Sequence, residues 1–194
     1  THQGIFDVSY LSMIPNMTIL SPMNRGELES MLLWSQEFNG PLSIRYPRAE
    51  IEADAVSNFE PFKWQRIHSG DRGITIIATG ACVVSNCLNA ARLLSNEGIA
   101  INVYNASSIK PMDHAVLDSI ECDTVIVYED NVSRSGLGEA VRCYYSAKHK
   151  HTIVHTINLG DQFIAQGTVD EIMDEFGLST AGIYNFIKKI LQID

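Results

Sequence analysis

Two arginines stand three residues apart in RYPRAE, Arg45 and Arg48, where Pro47 closes a run that alternates apolar and polar residues. A guanidinium stays charged and grips a phosphate or a carboxylate through paired N–H bonds. In an open α/β sheet, ligands gather outside the carboxyl ends of the strands, where these arginines are expected to lie. The alternative is a surface pair with Glu50 or Glu52. His2, between Thr1 and Gln3 and close to Gly4, is the second candidate. An imidazole moves protons near neutral pH, and a neighbouring glycine permits close backbone approach. Its alternative is a structural histidine.

Two further clusters promise less. Glu129 and Asp130 form a carboxylate pair at a strand end. Adjacent strand residues point to opposite faces, so shared acid–base work is not expected; a loop-ordering or interface role is. His149 and His151 lie two residues apart, with His155 nearby, but no third metal ligand accompanies them. That argues for a solvated turn and no metal site. The glycines of ATGACVVS and SGLGEA serve either a ligand or a tight turn before a helix.

These residues need a scaffold, and its pattern is legible. Residues 17–20 (MTIL) read as a buried strand ended by Ser21-Pro22. Asn24 opens a helix with Glu27 three residues on, as a capping box requires. Leu28, Met31, Leu32 and Phe38 supply its apolar stripe, and Gly40-Pro41 stops it. Residues 42–46 (LSIRY) alternate as a strand, completing strand–helix–strand. Residues 49–60 are acidic and aperiodic, the signature of a linker. From 61 to 194 the alternation is regular. Strands are expected at 73–80, 99–105, 124–130 and 152–157. Helices are expected after Gly80, after Asp113, over 136–147, after the Thr168/Glu171 capping box and after Ser179. This is an α/β fold, a mainly parallel sheet covered by helices. Residues 1–48 cannot close a core alone and should lean on the later residues or on a second copy.

Composition removes whole classes of function. Against 23 acidic residues stand 14 basic ones, a net charge of −9 without a basic run, so nucleic acid is not an expected partner. No segment is apolar and long enough to span a membrane. Cys82, Cys87, Cys122 and Cys143 form no CxxC pair and sit in apolar or helical runs. They read as buried free thiols of a reducing compartment; the expected location is the bacterial cytoplasm, or the plastid if the source is a plant.

The ordered set THQGIFD, IPNMTILSPMNRGEL, GPLSIRYPR, NASSIKPMD, VYEDNVSRSGLGEAV and INLGDQFIAQGTVDEI resembles the C-terminal part of the transketolase-like, thiamine-diphosphate-dependent enzymes. DQFIAQG together with RYPR is most similar to the 1-deoxy-D-xylulose-5-phosphate synthases among them. The resemblance implies that residues 1–48 are the last part of a pyrimidine-binding α/β domain and 61–194 a transketolase C-terminal domain. It implies that the remainder of the enzyme, with the diphosphate and Mg²⁺ sites and the activating Glu, precedes Thr1. It assigns His2 to proton handling near the cofactor's reactive carbon and Arg48 to the phosphate of glyceraldehyde 3-phosphate. Arg45 receives no role. The implied reaction condenses pyruvate, with decarboxylation, and glyceraldehyde 3-phosphate. Its product feeds isoprenoid, thiamine and pyridoxal synthesis. The implied enzyme uses thiamine diphosphate and Mg²⁺ and is a homodimer. Residues 1–194 alone are expected neither to bind the cofactor nor to be active.

Overall fold

The structure is a computed structural model, described here over residues 4–47, 59–71 and 73–193. Its centre is β4 (Ile74–Thr79), in which every residue is buried. A strand covered on both faces is apolar on both, and ITIIAT reads so apart from the buried Thr75 and Thr79. β4 pairs in parallel with β5 (Asn102–Asn105) and β7 (Thr124–Glu129), and β7 pairs in parallel with β8 (Ile153–Ile157). β3 (Gln65–His68) closes one edge antiparallel to β5, giving the order β3-β5-β4-β7-β8.

Alternate side chains of these strands feed two cores. Ile76, Ala78, Val103, Ile126 and Tyr128 pack under α3 (Ala81–Asn96), α6 (Val169–Glu175) and α7 (Thr180–Leu191). Ile77, Val125 and Val127 pack on the opposite face with Leu117 of α4 (His114–Ser119) and with Leu137, Val141 and Tyr145 of α5 (Leu137–Ala147). Local sequence sets the helix starts as expected. Asp113 accepts from the backbone N–H of Ala115 and Val116, and Ser179 from that of Gly182. Thr168 and Glu171 form a reciprocal capping box.

Residues 4–47 contribute α1 (Asp7–Ser12), β1 (Thr18–Leu20), α2 (Arg25–Ser35) and β2 (Leu42–Ile44). β1 and β2 pair in parallel around α2, the strand–helix–strand unit read from the sequence. This unit does lean on the later residues. β6 (Ser108–Lys110) pairs antiparallel with β1, and Val8 and Ile19 enter the same core as Ile77 and Val127. Trp64 pins the junction: its indole N–H donates to the Ser108 carbonyl at 2.8 Å and its backbone N–H to Asp113 at 3.0 Å.

Four sequence expectations need correction. Asn24 caps α2 through the Glu27 N–H, but the Glu27 carboxylate accepts from the Met23 N–H, so the box is not reciprocal. Leu32 is exposed and Phe38 lies beyond the helix end; Met31 is the fully buried anchor. All four cysteines are free, but only Cys87 is buried: Cys82 and Cys122 are half-buried, and Cys143 is exposed on α5. The antiparallel strands β3 and β6 and the short α1 carry too few periodic residues to have been recognised.

Candidate functional site

Arg45 lies where the carboxyl ends of β1, β2 and β7 meet. It leaves the end of β2, its backbone N–H donating to the Leu20 carbonyl at 2.9 Å. Its side chain, only 11% exposed, makes four contacts among the described residues. Nε donates to Asp7 Oδ2 at 2.9 Å and Nη2 to Asp7 Oδ1 at 3.3 Å, a two-point fork. Nη1 donates to Asp130 Oδ1 at 2.5 Å, and Nη2 also reaches the Gly4 carbonyl at 3.1 Å. Burial opposes the charge on Arg45, but Asp130 and Asp7 outweigh it and hold the guanidinium above its usual pKa. Three chain segments thus share one cation.

Asp130 continues from β7 and faces Gly80 at the start of α3. Gly80 has φ +91°, and a Cβ there would lie 2.8 Å from Asp130 Oδ1. Only glycine meets both demands without strain. Glu129 points the other way, as strand alternation requires. Its carboxylate accepts from the backbone N–H of Leu137 at 2.8 Å and of Gly138 at 2.9 Å, capping α5 from within the fold. Burial pushes the Glu129 carboxyl up to about 7 despite those two hydrogen bonds. The pair therefore does not share one chemical task; each acid orders a different segment.

The loop after β7 is sewn to the segment that follows His2 in sequence. Val132 N–H donates to the Ile5 carbonyl at 3.0 Å. Asn131 donates to Ser9 Oγ at 3.1 Å, and the Ser9 hydroxyl donates to the Arg134 carbonyl. From the loop after β8, Leu159 N–H donates to the Asn131 carbonyl at 3.0 Å, and the Phe163 ring meets Phe6 edge-on at 5.7 Å. Nearby, the buried Glu27 carboxylate accepts from Met23 N–H at 2.6 Å and from Asn105 Nδ2 at 3.1 Å.

His2 and Arg48, the two site residues read from the sequence, lie outside the described residues. Of the rest, the structure brings Arg45 and Asp130 together and adds Asp7, which nothing in the sequence singled out. The Asp7 and Asp130 carboxylates, and not a free anion, occupy the Arg45 fork; Glu50 and Glu52, the alternative partners considered for the RYPR arginines, lie outside the described residues. His149 and His151 are exposed around the turn after α5, and His155 packs edge-on against Phe186. No cluster of three potential metal ligands occurs among the described residues. Nor is any helix there long and apolar enough to cross a membrane.

Residues 63–183 match the family model described as the C-terminal domain of transketolase, and residues 1–53 that of its pyrimidine binding domain. The chain belongs to the transketolase family. Within it, the chain is 39% identical over 197 residues to a 1-deoxy-D-xylulose-5-phosphate synthase of Clostridium perfringens, covering 98% of this chain and 32% of that protein. A synthase of the same name from Clostridium tetani is 38% identical over 198 residues, with 98% and 31% covered. The chain therefore spans about a third of the length of the curated relatives it matches. A solved structure described as a split gene transketolase, inactive beta4 tetramer, superposes with a TM-score of 0.83 at 26% identity, covering 99% of this chain and 63% of that one. Transketolase from Campylobacter jejuni superposes with a TM-score of 0.73 at 21% identity, over 97% of this chain and 28% of that one, which shows the shared fold.

The family implies thiamine diphosphate, and the described transketolase-family residues do not fit its diphosphate–metal end. A diphosphate seeks the unoccupied N–H groups of a helix start. Here the N-terminus of α3 faces Asp130, and that of α5 is filled by Glu129. Both positions would repel an anion.

Proposed function

We propose that this chain is the C-terminal portion of a 1-deoxy-D-xylulose-5-phosphate synthase, which condenses pyruvate, with decarboxylation, and glyceraldehyde 3-phosphate. The observation that carries the reading is the 39% identity to such a synthase over 98% of the chain. Residues 1–48 form the end of the pyrimidine-binding domain, 49–60 a linker and 61–194 the C-terminal domain. His2 handles protons on the substrate or intermediate, and Arg48 holds the aldehyde's phosphate. Residues elsewhere in the enzyme hold thiamine diphosphate and Mg²⁺, in keeping with the Glu129 carboxylate that fills the start of α5 and the Asp130 carboxylate that faces the start of α3. The enzyme works as a homodimer in the cytoplasm.

The test uses the complete natural polypeptide that contains residues 1–194. Supplied with pyruvate, glyceraldehyde 3-phosphate, thiamine diphosphate and Mg²⁺, it should form the five-carbon ketose phosphate. A folded, cofactor-loaded protein that forms none refutes the reading. A second reading, a separate subunit of a split enzyme, draws on the solved split gene transketolase that covers 99% of this chain. It predicts that activity appears only when a second polypeptide carrying the cofactor-binding region is added.

A further inference from the structure

We propose that Arg45, Asp7 and Asp130 are positioning residues of this enzyme, a brace that sets the segment after His2 against the ends of β2 and β7. The inference rests on the functional reading above, and it concerns groups that touch neither substrate nor cofactor. Charge decides between binding and positioning. Among the described residues one guanidinium faces two carboxylates, a balance that is net negative and repels an approaching phosphate. Arg45 therefore acts on other parts of the protein and not on the anionic substrate.

Geometry says what it acts on. Two of its nitrogens hold the segment 4–7, through the Asp7 carboxylate and the Gly4 carbonyl. A third holds Asp130 at the end of β7. The backbone beneath it belongs to the strand that leads on to Arg48 in sequence. Positioning of this kind matters because a displacement of about 1 Å at a reacting group costs roughly a hundredfold in rate. The fork cannot be replaced by a single point charge: lysine has one nitrogen where arginine presents three around a plane.

The experiment compares Arg45→Lys, Asp130→Asn and Asp130→Glu in the complete natural polypeptide, with both substrates varied. Positioning predicts that the first two lower kcat by about tenfold to a hundredfold. The KM for each substrate and the Kd for thiamine diphosphate should stay within about threefold, and Asp130→Glu should recover most of the rate. Should Arg45→Lys fail to fold, Asp7→Asn carries the same expectation. An unchanged kcat overturns the proposal. So does a rise in the KM of the phosphorylated aldehyde alone, which would mark Arg45 as a substrate ligand. A parallel fall of kcat, cofactor affinity and melting temperature, without recovery by Asp130→Glu, would mark a merely structural pair and also overturn it. An unsubstituted protein that forms no product refutes the functional reading itself, and this inference falls with it.

Discussion

Arg45 and Asp130 meet at 2.5 Å although 85 residues separate them. The contact ties the end of β2 to the end of β7, and Asp7 extends it to α1. Removing one partner of a buried ion pair costs about 3–5 kcal/mol, and less where water reaches the group left behind. The Asp7 and Asp130 side chains are 21% and 27% exposed, so Arg45→Ala should cost about 2–3 kcal/mol. At this chain length each kcal/mol lowers Tm by about 2–4 °C, so thermal unfolding should show a drop of about 4–12 °C.

Gly80 is coupled to the same contact. Gly80→Ala places a methyl group at φ +91° and within 2.8 Å of Asp130 Oδ1. The backbone part of the penalty is about 1–2 kcal/mol, and displacement of Asp130 adds to it. Asp130→Ala removes the second part. The two substitutions should therefore cost less together than the sum of their separate costs, a coupling that urea unfolding of the four proteins in a double-mutant cycle would measure.

Glu129 gives stability a pH dependence of definite sign. Its carboxyl is raised from 4.5 to about 7 by burial in the folded state. The folded protein thus holds a proton that the unfolded chain releases above about pH 4.5. The contribution of this group is complete below that value and is lost as pH rises through about 7. Glu129→Gln should flatten the slope of unfolding free energy between those limits. Denaturant midpoints that change equally with pH in both proteins would contradict this.

Arg48 and His2 make separable predictions in the complete enzyme. Losing a charge-assisted phosphate contact costs about 1.5–3 kcal/mol. Arg48→Ala should raise the KM of glyceraldehyde 3-phosphate by roughly tenfold to a hundredfold, with little effect on pyruvate. His2→Ala should lower kcat by about 10²–10⁴-fold. Steady-state kinetics with each substrate varied in turn distinguishes the two roles.

The cysteines differ in access. Cys143 is exposed, while burial pushes the Cys87 thiol well above its usual pKa. A maleimide probe should modify Cys143 rapidly in the native chain and reach Cys87 only after unfolding, as peptide mapping would show.

The sequence by itself determined the alternation of strands and helices, their caps and the strand–helix–strand unit before the linker. These depend on neighbours within a few residues: Asp113 on Ala115 and Val116, Thr168 on Glu171, ITIIAT on its mostly apolar composition. The ordered motifs likewise carried the resemblance to the family. Tertiary structure alone decided what Arg45 holds, why Glu129 and Asp130 part company, and which strand completes the small sheet beside β1. Those pairings join residues 38 and 85 positions apart, as Arg45 does with Asp7 and Asp130. No periodicity encodes such a distance. A short antiparallel strand such as β6 leaves equally little trace, since three residues cannot establish a period and its pairing energy comes from a partner elsewhere in the chain.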